Sequence, residues 1–111
     1  MKLEGRDSGD IRIVTVLEDR IDAAVAIRFK DLMREQNAGE PERIVLDLSR
    51  VGFIDSSGLG AVVASMKHME GRRLELAGLT PAVDKVFRLT RIDSIFAIHD
   101  RVEDALETRA G

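Results

Sequence analysis

The residues with most chemistry to offer are four in a row, Asp55-Ser56-Ser57-Gly58. A serine hydroxyl can be a nucleophile, a helix cap or the acceptor of a phosphoryl group. The first role needs a base within hydrogen-bond reach. The chain has two histidines. His68 stands 68 − 56 = 12 residues beyond Ser56. Along a helix that is roughly 18 Å, out of reach. His99 follows the last expected strand, and nothing places it near a serine. His68 reads as an exposed side chain and His99 as a loop residue. The nucleophile-elbow pattern G-x-S-x-G is absent. Gly58-Leu59-Gly60 is too short a match to a dinucleotide or P-loop fingerprint. With no cysteine and no metal-ligand spacing among the acidic residues, neither a metal nor a cofactor is expected, and no residue is assigned as catalytic.

Strands and helices alternate around this cluster. Lys2 to Arg6 and Ile11 to Glu18 read as a hairpin across Asp7-Ser8-Gly9-Asp10. Val25, Phe29, Leu32 and Met33 mark one face of a first helix, with Asp22 as its N-cap. The apolar run from Ile44 to Leu48 predicts a strand covered on both faces. A loop from Ser49 to Asp55 leads to a second helix with Leu59, Val62, Val63 and Met66 on its apolar face and Gly71 at its end. Arg72 to Ala77 is a strand. Thr80 and Pro81 open a third helix carrying Val83, Val86 and Phe87. Ile95 to Ile98 is a short last strand, and Val102, Ala105 and Leu106 define a closing helix. The pattern predicts an α/β fold with a small, largely parallel sheet of about five strands and four packed helices.

In such a sheet the loops leaving the strand C-terminal ends share one edge, where ligands and partners meet it. Three loops qualify: Asp19 to Asp22, Ser49 to Ser57, and Gly78 to Pro81. Asp22, Asp55, Ser56, Ser57 and Thr80 are thereby expected on one face. The second helix is small on its other side, with Gly58, Gly60, Ala61, Ala64 and Ser65. Each interior helical glycine costs about 1 kcal/mol against alanine, so close approach of another surface is expected there. That surface is either a neighbouring helix or a partner.

Composition narrows the function further. The 111 residues carry 17 basic and 20 acidic side chains, a formal charge of −3. The length predicts a single domain over residues 1–111 that buries roughly two-thirds of its unfolded surface. Basic and acidic residues are interleaved, so no nucleic-acid-binding face is expected. No apolar run reaches the ~18 residues of a membrane span, and the first residues do not open a signal peptide, so a cytoplasmic location is expected.

Val45-Leu46-Asp47-Leu48-Ser49, followed by Val51 through Gly60, resembles the signature of STAS domains. More specifically it is similar to bacterial anti-sigma factor antagonists. The similarity extends to Ile21-Asp22-Ala23, to Gly78 through Val83 and to Leu89-Thr90-Arg91-Ile92, in order, over nearly the whole chain. The resemblance implies a switch. The unphosphorylated antagonist binds an anti-sigma factor with serine kinase activity and frees a sigma factor. Phosphorylation of the first serine, here Ser56, ends binding, and a PP2C-type phosphatase resets the system. The resemblance places Asp22 at the partner-binding edge, and with the shared sheet edge and the small helix face the expected partner-binding set is Asp22, Asp55, Ser56, Ser57, Gly58, Leu59, Gly60 and Thr80. Asp19 departs from the family, where many members carry glycine. The physics of capping leaves Ser56 and Ser57 both open as acceptor; Ser57 is expected as the nearer cap, which favours Ser56. The other reading within the family is a STAS module of a different signalling scaffold or of a lipid-transport complex.

Overall fold

The computed structural model describes residues 1–108. Strands β1 (Leu3–Ser8) and β2 (Ile11–Val16) form the expected hairpin, turning through Gly9 at φ +63°. Strand β3 (Arg20–Ile21) precedes helix α1 (Ala26–Gln36). Strand β4 (Arg43–Asp47) is followed by β5 (Phe53–Ile54) and helix α2 (Ser56–Lys67). Strand β6 (Arg73–Ala77), helix α3 (Pro81–Leu89), strand β7 (Ile98–His99) and helix α4 (Val102–Glu107) complete the order.

The main sheet has five strands in the order β1-β2-β4-β6-β7. Only the β1–β2 pair is antiparallel. Val14, Val16, Ile44, Leu46, Leu74 and Leu76 face one way, toward Phe29 and Met33 of α1, Leu59 and Val62 of α2, and Val83 and Phe87 of α3. Ile11, Ile13, Val45 and Ala77 face the other way, beneath Val102 and Ala105 of α4. Both faces of the central strands are thus covered, and their apolar runs follow from that.

Two of the sequence expectations change here. The loop expected from Ser49 to Asp55 contains β5, which pairs in parallel with β3 as a separate two-stranded sheet. Strands of two residues have no periodicity to read. The last strand, expected over residues 95–98, starts only at Ile98. Thr90 closes α3 by donating its hydroxyl to the Val86 carbonyl at 2.7 Å, and Arg91 then turns left-handed at φ +61°. A single 3-10 turn over Ile92–Ile95 follows, leaving Ile95 49% exposed.

The α4 face holds a buried ion pair. The Arg43 guanidinium grips both Glu75 oxygens at 2.6 and 2.7 Å, and the same side chain donates to the Ala105 carbonyl of α4 and the Thr108 carbonyl just past its end. His99, expected in a loop, lies on β7 with its Nε2 2.8 Å from Glu75 Oε1. Burial by itself would raise the Glu75 pKa, but the hydrogen bonds from Arg43 and His99 outweigh it and hold the carboxyl below its ordinary range.

Candidate functional site

Because β2, β4 and β6 are parallel and in register, their C-terminal ends emerge together. Backbone and side-chain bonds tie the three departing loops to one another. Gly52 N–H donates to the Asp19 carbonyl at 2.8 Å, and Asp55 N–H to the Ile21 carbonyl at 3.4 Å. The Thr80 hydroxyl donates to the Val51 carbonyl at 2.7 Å. Thr80 occupies the N-cap position of α3, as expected, but its side chain fastens the neighbouring loop instead of capping the helix. Asp19 is not left-handed, so the departure from glycine carries no backbone strain.

Asp55 organises the start of α2. It is the N-cap, and its Oδ1 accepts the Gly58 N–H at 2.9 Å. Its Oδ2 accepts the Ala23 N–H at 3.0 Å. The cap is therefore Asp55 and not Ser57: a carboxylate one residue ahead reaches the third helical N–H and still has an oxygen to spare. Chiefly through the Gly58 hydrogen bond, and further through those of Ala23 and Ser57, the Asp55 carboxyl is held below its ordinary pKa. It remains an anion throughout the neutral range.

With the cap supplied by Asp55, the serines are free of that duty. Ser56 and Ser57 are the first two residues of α2 and both are exposed. Among the described residues neither hydroxyl has a hydrogen-bond partner. Gly58 and Leu59 lie inside. A Cβ at Gly58 would overlap the Ile21 carbonyl oxygen and press on the Ile54 side chain, so this glycine lets β3 cross the helix start. Gly60 is exposed, with nothing in the chain near the place a Cβ would take. Ala61 and Ser65 are buried. The small face of α2 thus serves close packing within the chain at Gly58, Ala61 and Ser65, and stays open to solvent at Gly60.

Asp22 sits on the same edge, half-buried, but does not cap α1. Three turn residues intervene, and the N-cap position falls on Val25, without a side-chain bond. Asp22 accepts the Ala24 N–H at 3.1 Å with Oδ1 and Arg20 Nε at 3.0 Å with Oδ2. Asp22, Asp55, Ser56, Ser57 and Thr80 therefore stand on one sheet edge, linked through the three loops. Phe53 and Ile54, expected together as an apolar base for the loop, divide the work: Ile54 is 3% exposed and Phe53 46%. Adjacent strand residues point to opposite sides, which was the available signal. The Arg20 guanidinium lies over the exposed Phe53 ring, 4.8 Å from its centroid.

Among the described residues neither histidine is bonded to a serine. His68 is at the far end of α2, 3.3 Å from Arg34, and His99 is held by Glu75. Among the described residues no group of three or more His, Cys, Asp or Glu is arranged to hold a metal ion. No helix among them is long and apolar enough to cross a membrane.

The STAS domain family model matches residues 3–105. This chain belongs to the STAS domain family. An anti-sigma-B factor antagonist of Listeria monocytogenes is 30% identical to this STAS domain over 100 residues, covering 88% of this chain and 86% of the relative. The crystal structure of an anti-sigma factor antagonist from Mycobacterium paratuberculosis superposes with a TM-score of 0.85 at 25% identity, covering 96% of this chain and 91% of that one. The antagonist SpoIIAA shares the fold in its unphosphorylated form, with a TM-score of 0.72 at 18% identity over 96% of this chain and 94% of its own. The STAS fold expected from the sequence is the one observed.

Proposed function

We propose that this STAS domain is an anti-sigma factor antagonist that works as a single unit over residues 1–111. Unphosphorylated, it binds an anti-sigma factor with serine kinase activity and so frees a sigma factor. Phosphorylation at Ser56 ends binding, and a PP2C-type phosphatase restores it. The cycle runs in the cytoplasm. The observation that carries this reading is the pair of exposed serine hydroxyls, Ser56 and Ser57, both free of capping because Asp55 provides the cap; the choice of Ser56 between them rests on the resemblance to the antagonists. The relatives named as antagonists support it.

The physics of the switch is local. A phosphoserine adds about −1.5 to −2 charges, taking the chain from −3 to about −5. At the first position of α2 the helix dipole favours an anion, so the domain tolerates the group without refolding. A partner seated on this edge meets a dianion beside the Asp55 carboxylate. A like-charge pair at 4 Å costs roughly 1 kcal/mol in water and about 4 at an effective dielectric of 20. Each 1.4 kcal/mol is tenfold in affinity, so one phosphate lowers binding by about one to three decades. Incubation with the kinase and ATP, followed by phosphopeptide mapping, tests the acceptor: phosphate on Ser56 supports the reading, and phosphate on another residue refutes it.

A further inference from the structure

Every carboxylate oxygen of Asp22 and Asp55 at this edge already accepts a donor from the chain itself. Arg20 differs. Its side chain is 56% exposed and only Nε is engaged, by Asp22. Among the described residues its two terminal nitrogens have no partner, leaving four N–H donors in a plane. That plane is held over Phe53 and against Asp22, so its orientation is set before any ligand arrives. A guanidinium so held is a fork for a planar anion, and the half-exposed ring beside it is an apolar seat. Arginine is among the residue types that carry most binding energy at interfaces, and phenylalanine is enriched there.

We infer that Arg20 on Phe53 is a binding hot spot for the anti-sigma factor, taking one aspartate or glutamate that the partner presents beside an apolar side chain. The inference rests on the functional reading above and specifies its chemistry. Continuity favours that occupant, because Arg20 is bonded to Asp22 and strand β3 pairs with β5, three residues before Ser56.

The test titrates the purified kinase-type anti-sigma factors of the source organism, one by one, with the wild-type chain by calorimetry. The binder is then titrated with Arg20→Ala, Arg20→Lys, Phe53→Leu and the control Lys67→Ala. Arg20→Ala is expected to weaken binding by about 30-fold, the loss usual for a hot spot. Arg20→Lys keeps the charge but not the fork and recovers only part of that loss. Phe53→Leu keeps apolar bulk and weakens binding several-fold, while Lys67→Ala matches wild type. Melting curves superposing on wild type exclude misfolding for these exposed positions. Binding of Arg20→Ala within twofold of wild type overturns the inference while leaving the functional reading intact. Failure of every anti-sigma factor to bind the wild-type chain overturns both. Sedimentation showing a wild-type dimer that Arg20→Ala dissociates would assign the patch to a second copy of the chain instead.

Discussion

Asp55 binds Ala23 across 32 residues of sequence: its Oδ2 accepts the Ala23 N–H at 3.0 Å while its Oδ1 caps α2. One carboxylate therefore fixes both the start of α2 and the loop that carries Asp22. Removing it loosens both. Asp55→Ala is expected to lower the urea midpoint and to weaken partner binding, and Asp55→Asn, which keeps one acceptor oxygen, to lower the midpoint less. Equal midpoints for Asp55→Ala and wild type would mean that the carboxylate does not hold the loops together.

The two glycines of α2 separate by environment. Gly58→Ala forces a methyl into the Ile21 carbonyl, an overpacking that costs about 1–3 kcal/mol. Gly60→Ala enters open space and stabilises the helix by up to about 1 kcal/mol. Chemical denaturation of both variants reads the difference directly. A neutral Gly58→Ala would show that β3 does not press on the helix start as described.

The buried Arg43–Glu75 pair predicts a further asymmetry. Glu75→Gln leaves the buried guanidinium without its counter-charge, a loss of about 3–5 kcal/mol. Replacing both partners, as Arg43→Met with Glu75→Leu, is expected to cost much less than the sum of the single changes. A double-mutant cycle by denaturation checks this, and additive losses would contradict it.

The pH dependence follows from the same carboxylate together with Asp55. Both have folded-state pKa values below their ordinary ones, 4.5 for Glu75 and 3.8 for Asp55. Each binds a proton more readily when unfolded, so its contribution is present above the ordinary pKa and is lost as pH falls through the depressed one. Stability is expected to hold from neutral pH to about the ordinary carboxylate range and to fall below it. Glu75→Gln is expected to flatten the acid limb. An unchanged acid slope in that variant would remove Glu75 from the account.

Much of this arrangement was legible in the residues. Strand and helix alternation gave the central sheet, and the ordered motifs from Val45 to Gly60 gave the family. Parallel topology alone places Asp22, Asp55, Ser56, Ser57 and Thr80 on one edge. What escaped was set by contacts distant in sequence. Strands β3 and β5 exist because Arg20–Ile21 and Phe53–Ile54 find each other, and neither pair has a pattern alone. Asp22 has the residue type of a cap and does accept the Ala24 N–H, but residues 23–25 close into a turn and the helix begins only at Ala26. His99 looked like a loop residue because its partner, Glu75, lies on another strand. Arg20 and Phe53 had no motif to announce them; only their pairing across β3 and β5 makes them a unit.

In the proposed switch, one phosphate at Ser56 ends binding without unfolding the domain. Calorimetric titration of the cognate anti-sigma factor with the unphosphorylated chain, the Ser56-phosphorylated chain and Ser56→Ala tests it most directly. Tight binding is expected for the first and third, a loss of about one to three decades for the second, and a native circular dichroism spectrum for all three. Equal affinity of the phosphorylated and unphosphorylated chains would contradict it.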